Sequence, residues 1–364
     1  MKKRQKHLSL IGIFFFINPL IAVQASPNLF SPTSAWNTPI PAKATYTNDK
    51  ISTIKYSGLD TWNGNTWTIP FYSATVADGL HPLLYNDQAW INVANGKWLR
   101  SGNSLLIEEQ ILASSKSTFP YSGNVYSTTS ISSWVLPLDY NKTRNPISLP
   151  AKFYFNENMI PASASDGHIA ILQPNGYVLE AYAAILLSSG QLIALSYAIT
   201  DPYSRGDGWQ NGQTASMLPA YAGHIYEDEI ASGINHAMSI SVPASTLKAS
   251  IQYPAYAFDR NASTATPPYS GNIPMGGRVA LPTRLKISSL NLRTKEGKSI
   301  AQAAQTYGFI VTDRNGEGIT LKVQTNGLSA SSALRTWNSE LQEDLRVIFE
   351  KIQLVNFPIP ISPH

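Results

Sequence analysis

Residues 166–182 gather four side chains able to do acid–base chemistry together: Asp166, His168, Glu180 and Tyr182. An imidazole needs a carboxylate neighbour to fix its tautomer before it can act as acid or base, and Asp166 stands two residues from His168 across Gly167. Glu180 would supply a carboxylate for proton transfer or nucleophilic attack, and Tyr182 a phenol for binding or proton abstraction. A second group lies in His224-Ile-Tyr-Glu-Asp-Glu-Ile-Ala-Ser-Gly-Ile-Asn-His236, where Glu229 and His236 repeat the carboxylate–imidazole pairing. Arg278, after Met275-Gly-Gly, suits bidentate capture of an acidic group, or equally a surface salt bridge. Trp209, in the polar, glycine-rich segment 206–209, suits a stacking platform for a sugar ring.

The elements that must position these groups follow from turn chemistry. Pro174-Asn175-Gly176 fits a three-residue hairpin loop, with Pro presetting the first dihedral and Gly taking the left-handed position. That loop sets Gln173 opposite Tyr177, Ala170 opposite Glu180 and His168 opposite Tyr182. Asp166, His168, Glu180 and Tyr182 then share one face, and Ile169, Ile171, Leu179 and Ala181 share the other. A two-residue Asn-Gly loop would shift the register by one and separate Glu180 from His168. Pro174 is better placed in a loop than in a paired strand, which favours the first register.

Short apolar runs bounded by Gly, Pro, Asn and Ser predict strands at 66–72, 104–112, 132–138, 151–155, 191–199 and 238–242. Two helices are expected late in the chain. One spans 299–307, with Gly308 as its stop; the other spans 339–351, with Leu341, Leu345, Ile348 and Phe349 on one stripe and Asn338 as cap. The expected fold is mainly β, an antiparallel β-sandwich or jelly roll with these helices at its edge, in one domain over 26–364. Residues 259–277, rich in Pro, Gly, Ser and Thr, read as a long surface excursion, and Asp313-Arg-Asn-Gly-Glu-Gly as the turn of a hairpin.

Residues 1–25 have the pattern of a secretory leader: Lys2, Lys3, Arg4 and Lys6, then an apolar stretch to Val23, then Val23-Gln-Ala25 before a cleavage point at Ser26. The whole chain has 27 Lys and Arg against 23 Asp and Glu; without the four basic residues of the leader the balance is 23 against 23. A basic chain reading, with nucleic acid as partner, is therefore not expected. Charged residues are 14% of the chain, so solubility rests on hydroxyl and amide groups. There is no cysteine, which removes disulfides, thiolate metal sites and cysteine nucleophiles together. Export to a bacterial periplasm or exterior is expected, as a monomer, with no membrane insertion after cleavage.

No Gly-x-Ser-x-Gly elbow, phosphate-binding loop or His-Glu-x-x-His pattern is present. A zinc site from His224, His236 and a carboxylate matches no ligand spacing, so neither a metal nor a cofactor is assigned.

Trp36-Asn-Thr-Pro-Ile-Pro, Ser165-Asp-Gly-His168 with Pro-Asn-Gly and Glu180, Glu229-Ile-Ala-Ser-Gly-Ile-Asn-His-Ala237, Ile273-Pro-Met-Gly276 and Gln305-Thr-Tyr-Gly-Phe-Ile-Val-Thr-Asp313 occur in that order. As an ordered set they resemble a group of exported bacterial proteins common in actinobacteria. The resemblance implies one extended unit holding both histidine motifs and brings no activity with it. His224-Ile-Tyr-Glu departs from the more apolar lead-in expected there, which argues against His224 as a shared ligand.

Together these features predict a secreted enzyme acting on polysaccharide. In the glycoside hydrolase form, Glu180 or Asp166 pairs with Glu229, one acid and one base or nucleophile, supported by His168 and His236. In the lyase form, His168 or Tyr182 takes a proton beside a uronate carboxylate neutralised by Arg278. A non-catalytic carbohydrate or cell-wall binding protein is the third possibility, and there Trp209 would outweigh any carboxylate.

Overall fold

The structure is a computed structural model. It describes residues 29–47, 69–85, 98–101, 104–107, 152–162, 167–182, 184–186, 192–194, 196–259, 261–264, 266–316, 318–323 and 339–356. The leader, the strand expected at 132–138, Asp166 and Asn338 lie outside the described residues.

Strands β1 (Phe71–Ser73), β2 (Ile169–Leu172), β3 (Val178–Tyr182) and β4 (Ser196–Thr200) form a four-stranded sheet in the order β4-β3-β2-β1. β2 and β3 are the expected hairpin. Gln173 N–H donates to Tyr177 O at 2.7 Å, Gly176 sits at φ 88°, and Ala170 pairs with Glu180. Ile169, Ile171, Leu179 and Ala181 enter one core with Tyr197 and Ile199 of β4. The opposite face is covered too, for Ala170 and Val178 pack with Trp36, Phe71 and Tyr221 in a second core. Alternation thus gave the two faces correctly, and both are buried.

A six-stranded sheet is built from Thr45–Thr47 together with β5 (Met238–Pro243), β6 (Arg278–Ala280), β7 (Phe309–Asn315), β8 (Thr320–Leu321) and β9 (Gln353–Asn356). Its spatial order is Thr45–Thr47, β9, β6, β7, β5, β8. β5 is buried along its whole length, as suits a central strand running parallel to β7. Because β5 lies between β7 and β8, the chain crosses a strand between Asn315 and Thr320 instead of closing the expected hairpin. A further four-stranded sheet has the order Lys152–Tyr154, Leu80–Tyr85, Leu192–Ala194, Ile185–Leu186. The expected strand at 191–199 is therefore two strands in different sheets. Within the 259–277 excursion, Ile273–Met275 pairs in parallel with Leu247–Ile251.

The chain is mainly strand, and its sheets are mixed where an antiparallel arrangement was expected. β1 with β2, β5 with β7, and Leu80–Tyr85 with Leu192–Ala194 all pair in parallel. Parallel pairing needs connections long enough to cross over. The cleft described below is lined by residues of 29–37 and 223–236, which lie outside those connections.

Among the described residues, three α-helices accompany the sheets: α1 (Glu227–Ser232), α2 (Lys295–Thr306) and α3 (Ser339–Phe349). α2 and α3 correspond to the two expected helices. α2 is capped by Thr294, whose hydroxyl accepts from Gly297 N–H at 2.9 Å, and it ends before Gly308 at φ 77°. On α3 Leu341, Leu345, Ile348 and Phe349 are buried as the stripe requires. Asp344, also buried, accepts from Arg293 N–H, Thr294 N–H and the Thr294 hydroxyl, and so ties α3 to the start of α2. None of the described helices is long and apolar enough to cross a membrane.

Candidate functional site

α1 (Glu227–Ser232) is not among the helices expected from the sequence, and Tyr226 is an unusual cap for it. In the structure, Glu229 compensates by turning back to accept Tyr226 N–H at 2.8 Å, the reciprocal half of a capping box. This fixes the Glu229 carboxylate at the start of α1, where His236 returns to meet it. His236 Nε2 lies 3.1 Å from Glu229 Oε1 and 3.2 Å from Oε2, while His236 Nδ1 lies 2.9 Å from Ala237 O. Both ring nitrogens face acceptors, so both bonds are made only when the ring carries two protons or the carboxyl carries one. Burial alone would lower the His236 pKa; the hydrogen bond and charge of Glu229 overcome it and raise the pKa above its ordinary value.

Glu229 and His236 line a cleft of about 440 Å³. Its opposite wall comes from the N-terminal part of the chain, Leu29, Phe30, Pro32, Trp36 and Asn37. Asn37 Nδ2 donates to the carbonyls of Leu29, Phe30 and Ser31, folding that segment into a tight loop. Phe30 is held at φ 67°, a strained conformation for a bulky residue, by main-chain bonds to Pro202 and Ser204 on either side. Its ring stacks between Trp36 and Tyr221 at centroid distances of 6.2 and 5.9 Å. Trp36 Nε1 donates to Gly206 O at 2.7 Å. The floor under Trp36 is Gly223, at φ 68°, where a Cβ would stand 2.4 Å from the indole.

His224 and Tyr226 complete the lining near the dyad. His224 is fully buried, and burial, with the charge of Lys322 next, pushes its pKa down to about 3. The imidazole is therefore neutral at every ordinary pH. Burial, then the charges of Glu229 and Asp228, push the Tyr226 pKa up.

Of the residues singled out in the sequence, Glu229 and His236 come together in this cleft. His224, weighed in the sequence as a metal ligand, also lines it, whereas Glu180, His168, Tyr182, Arg278 and Trp209 do not. Glu180 is fully buried, accepting from the Thr200 hydroxyl at 2.7 Å, Gln213 N–H at 3.0 Å and Ala220 N–H at 2.8 Å. Burial, only partly offset by these bonds, raises its pKa to about 7. The bonds from Gln213 and Ala220 fasten the 201–222 segment onto β3, the one from Thr200 ties β3 to β4, and Glu180 is not among the residues lining the cleft. His168 is buried with its ring 5.1 Å from that of Tyr182 in an edge-on contact, again outside the cleft lining. Arg278 is 1% exposed. It donates through Nη1 to Thr38 O at 2.9 Å and through Nη2 to Ala35 O, so it anchors the Trp36 loop from behind. Burial lowers its pKa to about 10, which leaves it charged. Trp209 is 46% exposed, on a short 3-10 turn, with its ring 6.0 Å from Tyr256.

Sequence reasoning missed Phe30, Asn37 and Tyr226 as lining residues. Trp36-Asn37 opens the first shared motif, and that was the available signal. The contact that makes it a wall, Trp36 to Gly206, spans 170 residues and leaves no local trace. Among the described residues no three His, Asp or Glu side chains are grouped to hold a metal ion.

Searches of protein-family models, curated proteins and solved structures found no match to this chain.

Proposed function

We propose that the protein is an exported enzyme acting on polysaccharide, a glycoside hydrolase whose reacting carboxylate is Glu229. The observation that carries this reading is the Glu229–His236 pair in a cleft with aromatic walls. Phe30 and Trp36 give the cleft an apolar side wall suited to the C–H groups of a sugar, and the dyad gives a proton that can be moved.

Glu229 Oε2 is engaged by Tyr226 N–H, so Oε1 is the oxygen through which a proton is exchanged. With the proton on His236 Nε2, Glu229 is a carboxylate that can attack the anomeric carbon or deprotonate water. With it on Oε1, Glu229 is an acid that can protonate the leaving oxygen as the glycosidic C–O bond breaks. Water then bonds through its oxygen to the anomeric carbon and returns a proton to the dyad, and the departing sugar keeps the one it received. Among the described lining residues Glu229 is the one carboxylate. The acid and base roles, expected from two carboxylates, therefore fall to the dyad.

The sandwich reading of the fold is proposed with it. Ala170 and Val178 of the four-stranded sheet share a core with Ile310 of the six-stranded sheet and with Ala237, just before β5, across Trp36 and Tyr221. That shared core is what layered packing of the two sheets requires. Export rests on the leader-like residues 1–25.

The test is product analysis of residues 26–364 incubated with neutral and acidic polysaccharides. New reducing ends without the absorbance of an unsaturated uronate support the hydrolase. Reducing ends with that absorbance would replace it by a lyase, and retained binding without product by a carbohydrate-binding protein.

A further inference from the structure

Most polar groups along the cleft are already committed to their own loops. Asn37 Nδ2 serves three carbonyls, Asn235 Nδ2 donates to Gly233 O, and the Ser232 hydroxyl donates to Asp228 O. Two side chains differ. His224 is fully buried, and neither ring nitrogen makes a hydrogen bond among the described residues. The main chain at Ala220 lies on one side of the ring, near enough to favour a proton there but outside hydrogen-bonding geometry. Tyr226 is 8% exposed, and its hydroxyl likewise makes no hydrogen bond among the described residues. Buried polar atoms are normally satisfied, because removing them from water without a partner is costly. Two together, both lining one cleft beside a charged dyad, mark where a ligand's polar groups belong.

The charges decide what kind of ligand. Lys322 and His236 both act against protonation of His224, so the ring offers one donor and one acceptor. The Tyr226 phenol offers the same. A sugar hydroxyl also donates and accepts, and it matches either group. A carboxylate only accepts: it can take the Tyr226 O–H and one His224 N–H, but it leaves the His224 lone pair unmatched and brings a second negative charge beside Glu229, against which Lys322 and His236 supply the positive charge.

We propose that His224 and Tyr226 are the specificity-determining pair of this cleft, reading hydroxyl groups of an uncharged sugar unit and disfavouring a uronate. This rests on the reading of the cleft as the site of a polysaccharide-acting enzyme. It deepens that reading by naming the substrate class and by adding two residues that touch it.

The experiment uses residues 26–364 carrying Glu229→Gln, so that ligand is bound and not turned over. Calorimetric titration compares neutral oligosaccharides with uronate oligosaccharides, before and after adding His224→Phe or Tyr226→Phe. Neutral oligosaccharides should bind the more tightly. Each added substitution should weaken that binding by roughly tenfold, the effect of one lost hydrogen bond. Thermal melting supplies a readout that a structural role would move the other way. Replacing an unbonded buried imidazole by a phenyl ring should leave Tm unchanged or raise it, whereas a structural histidine would lower it. Neutral-sugar affinity untouched by His224→Phe and Tyr226→Phe, or a preference for uronates, overturns the assignment alone. No binding of any oligosaccharide, with or without Glu229→Gln, overturns the enzyme reading and the assignment with it.

Discussion

Both nitrogens of His236 face hydrogen-bond acceptors, Glu229 on one side at 3.1 Å and Ala237 O on the other at 2.9 Å. The pairing raises the His236 pKa in the folded state, so folding favours the protonated ring. That contribution to stability is fully present below the unfolded value of 6.5 and is lost as pH rises through the folded value. Melting temperatures of the wild type and Glu229→Gln should therefore differ most at pH 6 or below and converge in alkali. NMR titration of His236 gives the direct check: its pKa should fall on Glu229→Gln, and an unchanged value would remove the dyad from the account.

Glu180 should show a different pH dependence. Its pKa is raised from 4.5 to about 7, so the folded state favours the neutral acid. Stability is unaffected below pH 4.5, declines between 4.5 and 7, and stays lower above, by about 3 kcal/mol. Glu180→Gln has no charge to lose and should flatten this decline. Its amide oxygen can still accept from Gln213 and Ala220, and its NH2 can donate to the Thr200 hydroxyl. Glu180→Ala leaves three donors unmet and should cost about 3 kcal/mol at pH 5. Denaturant unfolding of the two variants across pH distinguishes these outcomes.

Arg278 behaves as an anchor. Arg278→Ala strands the carbonyls of Ala35 and Thr38 and releases the loop that carries Trp36. A loss of about 3 kcal/mol or more is expected, with a change in tryptophan fluorescence, since Trp36 is 1% exposed in the native fold. A loss below about 1 kcal/mol would return Arg278 to consideration as a ligand-binding cation.

Gly223→Ala should be as costly, roughly 3 kcal/mol, because the added carbon meets both the Trp36 ring and Ser239 N at a left-handed backbone position. Trp209→Ala is the contrasting case. An exposed ring on a surface turn contributes little to folding, so Tm should hold within a few degrees. If Trp209 is a stacking platform outside the cleft, affinity should fall for long glycans more than for short ones.

What was legible in the sequence was local. The 173–177 turn fixed the hairpin register because Pro, Asn and Gly each favour one position in a three-residue loop. The apolar stripe of α3 and Gly308 after α2 located the two long helices. Alternation along β2 and β3 paired Glu180 with the correct face. It carried no information about what lies over that face, and the 201–222 segment covers it. Glu180 on that face reads as a site residue in the sequence, and its partners in the fold are the main chain of that segment. Glu229 and His236 were visible as residue types. Their meeting depended on a helix capped by Glu229 itself, and their cleft on a wall from the far end of the chain. The parallel pairings were hidden for the same reason, since strand partners distant in sequence leave no periodic signal.

Under the proposed function Glu229, and not Glu180, is the reacting carboxylate. The most direct measurement compares reducing-end release from a polysaccharide cleaved by the wild type with release by Glu229→Gln and Glu180→Gln, each confirmed folded by its melting curve. The account predicts that Glu229→Gln loses turnover by several orders of magnitude while still binding the glycan, and that Glu180→Gln keeps it within a fewfold. Turnover retained by Glu229→Gln, or abolished in a well-folded Glu180→Gln, would contradict it.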